Sequence, residues 1–90
     1  MARGLYSKNR RRIYALSEYF NKYEIYEKHN WICIICGDEI NPNLKFPHLE
    51  AATLEHIIPL CRGGTHSVDN VGPAHASCNF IKGDKLLGEF

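Results

Sequence analysis

The sequence predicts a small α+β domain in which a hairpin and a helix close around metal, preceded by a basic helical segment. Three observations predict it. The residue pairs Cys33-x-x-Cys36 and His75-x-x-Cys78 share one internal spacing about forty residues apart, which is the pattern of two half-sites gripping one ion. A β-prone run from Ala52 to Leu60 stops at Pro59 and is followed by the Gly63-Gly64 turn and a returning apolar segment. A third stretch, Ile13 to His29, contains neither Gly nor Pro and repeats apolar residues at helical steps.

The length makes a staple necessary. Ninety residues form one domain, and a chain this short buries too little apolar surface to be stable on its core alone. The four cysteines, Cys33, Cys36, Cys61 and Cys78, are enough for two disulfides. Met1 is followed by basic residues and not by an apolar leader, so the expectation is a cytoplasmic protein whose thiols are kept reduced and bind metal. The longest apolar run, Trp31 to Cys36, is far too short to cross a membrane.

In chain order, residues 3–12 carry five positive charges ending in Arg10, Arg11 and Arg12. Such a cluster is either a solvated terminus or a phosphate-binding arm. In the helical run, Ile13, Leu16 and Phe20 can pack one face on the body, and Asn21 marks a break into a second short helix, Lys22 to Lys28. Tyr14, Tyr19, Tyr23 and Tyr26 read first as boundary residues with wet hydroxyls and second as a stacking platform for bases. Cys33-Ile-Ile-Cys36-Gly37 has the form of a zinc knuckle, with Gly37 free to take the positive φ of a tight turn. Asp38 to Ala52 is an excursion rich in turn formers, and a helix is expected from Ala76 or Ser77 to Gly83.

The Cys3His set of Cys33, Cys36, His75 and Cys78 suits a closed, tetrahedral, structural Zn2+. Cys61 is the rival fourth ligand; it stands alone with no partner two residues away and ranks behind His75. Charge is divided unevenly. Residues 1–30 hold seven Lys/Arg against three Glu, and residues 31–90 hold four against seven Asp/Glu, within a formal net charge of +1. A basic leader on an acidic, Cys- and His-rich body suits a protein that holds a polyanion with one part and cations with the other.

The stretch TLEHIIPLCRGGTHSVDNVGPAHASCNFIKG, from Thr53 to Gly83, pairs Glu55 with His56, supplies Asn70, and ends in His75-x-x-Cys78-Asn79-x-x-Lys82-Gly83. Together with Cys33-x-x-Cys36 it resembles the HNH endonucleases of homing and phage type, over roughly two-thirds of the chain. The resemblance implies a ββα-metal domain over residues 31–90, a basic helical segment over residues 1–30, and metal-dependent hydrolysis of DNA. It assigns His56 as general base, Glu55 and Asn79 as ligands of a catalytic Mg2+ or Mn2+, and Asn70 as the residue that ties the loop to the strand. It further implies 5′-phosphate and 3′-hydroxyl products, a monomer or weak dimer, and, for phage-encoded relatives, work beside terminase subunits. Arg62 and Lys82 are expected to contact DNA phosphates along with Arg10, Arg11 and Arg12. The alternative is a non-catalytic zinc module that binds nucleic acid. One tension accompanies the assignment: adjacent strand residues point to opposite faces, so Glu55 and His56 address one ion only if the strand end is distorted.

Overall fold

The computed structural model describes residues 17–89. Arg10, Arg11 and Arg12 and the first four residues of the expected helical run, 13–16, lie outside the described residues, and residues 17–21 of that run are not helical, the helix starting only after Asn21. The elements follow the order α1 (Lys22–Lys28), β1 (Ala52–His56), β2 (Val71–His75) and α2 (Ala76–Lys82), with single turns of 3-10 helix at Leu60–Arg62 and Val68–Asn70. The result is a small α+β, ββα-metal domain.

Asn21 starts α1 by accepting the Tyr23 backbone N–H on Oδ1 at 2.8 Å, which satisfies a donor that the first turn leaves open. Glu24 in the first turn and Lys28 in the last oppose the helix dipole. Ile25 and Tyr26 face inward, and α1 rests on β2.

The two strands pair antiparallel in unbroken register, from Ala52 opposite His75 to His56 opposite Val71. Pro73 is tolerated within β2 because a two-stranded sheet consists of edges. Every residue of β2 is buried, since it is covered by α1, by the Cys33–Cys36 segment and by α2. The knuckle is tied to it directly: Ile34 N–H donates to the Pro73 carbonyl at 2.9 Å.

β1 was expected to run to Leu60, but it ends at His56, and the reason is Asn70. The Asn70 side chain accepts the Ile58 N–H at 2.9 Å and donates to the carbonyls of Ile58 at 2.9 Å and Thr65 at 2.8 Å. One buried amide thus replaces the strand neighbour that Ile58 would need. Gly64 is part of the same knot. A Cβ there would lie 1.8 Å from the Ile58 carbonyl oxygen and 2.9 Å from Asn70 Nδ2, so only glycine lets the loop close on the strand end.

Asn70→Ala is expected to lower stability by about 2–4 kcal/mol, because it removes three hydrogen bonds and leaves buried backbone groups without partners. Thermal melting of the zinc-loaded protein checks it; a loss under about 0.5 kcal/mol, the range of an ordinary surface substitution, would show that the loop does not depend on this side chain.

Candidate active site and metal centre

The thiols of Cys33, Cys36 and Cys78 and one ring nitrogen of His75 lie within 4.8 Å of one another. Local structure explains the convergence. Gly37 N–H donates to the Cys33 carbonyl at 2.9 Å, and Gly37 sits at φ 81°, which curls the knuckle so that both sulfurs face one point. His75 closes β2 and Cys78 lies in the first turn of α2, so one chain reversal delivers both remaining donors.

His75 Nδ1 stands 3.4 Å from Cys36 Sγ and 3.8 Å from Cys78 Sγ. Its Nε2 lies 3.0 Å from the Glu39 carbonyl oxygen. An Nε2–H donated to that carbonyl leaves the Nδ1 lone pair aimed at the sulfurs, which is how a ligating imidazole is usually oriented. Burial raises the Cys33 thiol, yet backbone N–H groups of Cys36, His75 and Ile35 outweigh it and bring the pKa down to about 7. Burial and the neighbouring Cys33 charge push Cys78 up to about 12. The cluster therefore resists carrying several thiolates at once unless a cation neutralises them. Soft sulfur and imidazole donors in a closed fourfold set fit zinc. Cys61, by contrast, is exposed in the 3-10 turn after Pro59 and takes no part in the cluster. All four cysteines are free thiols.

The second centre lies between β1 and α2. Thr53 and Glu55 share one strand face, and Asn79 and Lys82 share one helix face, and they meet as two rungs. Asn79 Nδ2 donates to Thr53 Oγ1 at 3.0 Å. Lys82 Nζ donates to Glu55 Oε1 at 3.0 Å and to the His56 carbonyl at 3.1 Å. Glu55 is 5 % exposed and Lys82 0 %. Lys82 was expected at a DNA phosphate; the structure instead buries its ammonium against Glu55, where it meets no solvent-borne anion. Arg62 remains half-exposed but is ion-paired with Glu89.

The register of β1 is regular through His56, so the strand-end distortion expected from the sequence is absent. Glu55 points to α2, and His56 points to the opposite face. There its Nε2 lies 3.0 Å from His66 Nδ1. His66 is held in turn: Phe20 stacks on its ring at 4.6 Å between centroids and 22° between planes, Glu18 N–H donates to the His66 carbonyl at 2.7 Å, and Glu18 Oε1 accepts the Val68 N–H at 2.7 Å. Burial and then the nearby His66 lower the His56 pKa below its usual 6.5, which keeps the imidazole neutral at neutral pH. His66 carries no signal in the sequence, because no spacing rule links it to His56 across the turn.

Among the described residues, the second carboxylate oxygen of Glu55 and the amide oxygen of Asn79 accept no hydrogen bond. Both are hard oxygen donors of the kind Mg2+ or Mn2+ takes. The Lys82 ammonium already neutralises the carboxylate, however, so these residues fit such a cation only weakly without substrate oxygens beside them.

Fold and centres together define a ββα-metal protein with a Cys3His cluster suited to zinc. A family model described as HNH endonuclease matches residues 33–85, and the chain belongs to that family. No curated protein and no solved structure matches it.

Metal analysis is expected to return one zinc per chain. Cys78→Ala is expected to lose the ion together with cooperative melting, while Cys61→Ala keeps the native zinc content; zinc lost on Cys61→Ala instead would reassign the cluster. Lys82→Met leaves the Glu55 carboxylate buried and unpaired, at an expected cost of about 3–5 kcal/mol. Millimolar Mg2+ is expected to restore part of the melting temperature of this variant, and none of it when Glu55→Gln is added. Equal recovery in both variants would show that Glu55 is not the acceptor.

Proposed function

We propose that the protein is a metal-dependent DNA endonuclease that nicks one strand, with His56 as general base. The observation that supports this best is the setting of His56. It is half-buried at the end of β1 and kept neutral by burial and by His66, on the face of the strand opposite the two oxygen donors that a hard cation would use. Glu55 and Asn79 would hold a divalent cation such as Mg2+ or Mn2+, which would offset charge on the scissile phosphate and on the leaving oxygen; because these donors and His56 lie on opposite faces of β1, the phosphate would have to lie across the strand end.

The residues of the chain account for the proton. A general base at neutral pH needs an unprotonated nitrogen free to face water. The Nε2 of His56 is engaged by His66, so in the active tautomer Nε2–H donates to His66 Nδ1 and the lone pair of Nδ1 takes the proton from water. His66 is then a positioning residue, fixed by Phe20 and by the Glu18 hydrogen bonds. Asn70 holds the chain just beyond His56, and Asn79 is kept at β1 by Thr53. The products of attack by water with loss of the 3′ oxygen are 5′-phosphate and 3′-hydroxyl ends. One such centre cuts one strand, so a double-strand break requires two events or two copies.

A second reading, a zinc-stapled module that binds nucleic acid without cutting it, draws on Lys82. An ammonium buried against Glu55 occupies the carboxylate that the cation would need. Supercoiled plasmid with Mg2+ or Mn2+ separates the two readings. Under the first, the native protein converts it to open circles and His56→Ala slows this at least about 100-fold, the range associated with a general base; nicking that survives in His56→Ala removes the base assignment. The nicking rate is expected to hold level below pH 6.5 and to fall only as pH drops through the lowered His56 pKa, because protonation removes the lone pair. A decline already complete by pH 7 would contradict it. DNA retention on the protein without any nicking in either metal supports the second reading.

A further inference from the structure

One groove of the molecule is used by neither centre. It is bounded by α1, by the 42–46 loop and by the start of β1, and it is lined by Tyr23, Tyr26, Trp31 and Phe46 with Lys22 and Lys45 at its sides. The ammonium of Lys22 lies 5.5 Å from the centroid of the Tyr23 ring and that of Lys45 lies 5.8 Å from the same centroid. Two like charges from separate segments thus stand beside one aromatic ring. Among the described residues, neither lysine has a carboxylate within ion-pairing distance. Self-repulsion of this kind is relieved by an anion between the two ammoniums.

The rest of the groove is aromatic. Tyr26 is buried and meets Tyr23 edge-on at 5.6 Å and Trp31 at 5.1 Å, so the floor is rigid. Trp31 is held at φ 54°, a left-handed conformation that costs an L-residue energy, and its indole N–H is fixed by Glu27 Oε1 at 2.9 Å. Phe46 is 75 % exposed and Tyr23 45 %, so both present aromatic surface to a ligand. A π-face beside a negative charge is the chemistry of a nucleotide.

We propose that this groove binds an unstacked nucleotide of a DNA single strand, its base against Tyr23 and Phe46 and its phosphate between Lys22 and Lys45. Ala52 lines the groove and begins β1, whereas His56 ends it. The rise of a strand puts these two ends about 13 Å apart, so the bound nucleotide belongs to the strand a few residues from the scissile phosphate. The inference rests on the reading of DNA as substrate and adds to it a subsite that grips frayed or unpaired DNA.

Trp31 is the sole tryptophan of the chain, so its emission reports on the groove directly. The test titrates the zinc-loaded full chain, without Mg2+ or Mn2+, with an oligothymidylate of about eight nucleotides, a length within the range of single-strand sites. An abasic oligonucleotide of the same length and charge, and the matching duplex, serve as comparisons. Thymidylate is expected to quench Trp31 and to bind at least about five-fold more tightly than the abasic strand, the lower bound for one stacked base. Tyr23→Leu and, separately, the exposed Phe46→Ala are expected to remove that preference while leaving abasic binding unchanged. Lys22→Gln with Lys45→Gln is expected to weaken both strands. Equal affinity for thymidylate and abasic DNA, equal quenching by the duplex, or a preference that persists in both aromatic variants with native zinc content would overturn the proposal. If native protein nicks plasmid but shows no base preference, the subsite fails and the nuclease reading stands; base preference without nicking has the opposite meaning.

Discussion

The convergence of three thiols and one imidazole is the constraint on which the remainder of the structure depends. It ties the Cys33–Cys36 knuckle to the junction of β2 and α2, closing a loop of roughly forty residues. The buried cluster of Cys33, Ile40 and Ala74, with Trp31, Ile35, Ala52 and Cys78 packed on it, surrounds that fastening. Core and metal donors are therefore the same piece of the molecule. Because His75 and Cys78 begin the last helix, a fastening there also sets the rotation of α2, and with it the directions of Asn79 and Lys82.

The seam between β1 and α2 is polar where a domain of this size would gain more from an apolar contact. Thr53 with Asn79 and Glu55 with Lys82 cross it at successive positions. A buried ion pair contributes little net stability against an apolar replacement of similar volume, so stability is a poor reason for its presence. Its chemical consequence is clearer. The ammonium keeps the carboxylate aimed across the seam, and its second bond, to the His56 carbonyl, fixes the backbone from which the histidine projects to the other side. One strand thereby serves two faces, with the carboxylate under the helix and the imidazole under the loop.

The loop face is completed from outside the stretch that matches the family model. Phe20 and Glu18 precede that stretch, yet they hold His66, and His66 holds His56. Tyr23 and Lys22, which shape the aromatic groove, also precede it. The segment before the knuckle is thus packed into the body through Ile25 and Tyr26 and contributes to both faces of the molecule.

Several elements were legible in the sequence because their causes are local. The short second helix after Asn21 follows from a capping amide, the knuckle from two cysteines and a glycine at fixed spacing, and the final helix from its stop at Gly83, which lies at φ 55°. The choice of His75 over Cys61 also followed from spacing alone. The length of β1 was misjudged because apolar residues continue past His56, while the strand is ended by the side chain of Asn70, twelve residues beyond Ile58. Lys82 was misplaced because a lysine after an asparagine on a short helix reads as a surface charge, and nothing local reveals that Glu55 waits beneath it.

By itself, then, the order of residues determined which groups are present, which turns they favour and which four donors share a spacing, since these depend on neighbours a few bonds away. The tertiary structure decided how those groups are paired: ammonium with carboxylate, imidazole with imidazole, two lysines on one tyrosine. Apart from Lys22, which adjoins Tyr23, the partners stand 10 to 27 positions apart, across strands, turns and helices, and the distance between them exists only once the chain has closed around its cysteines.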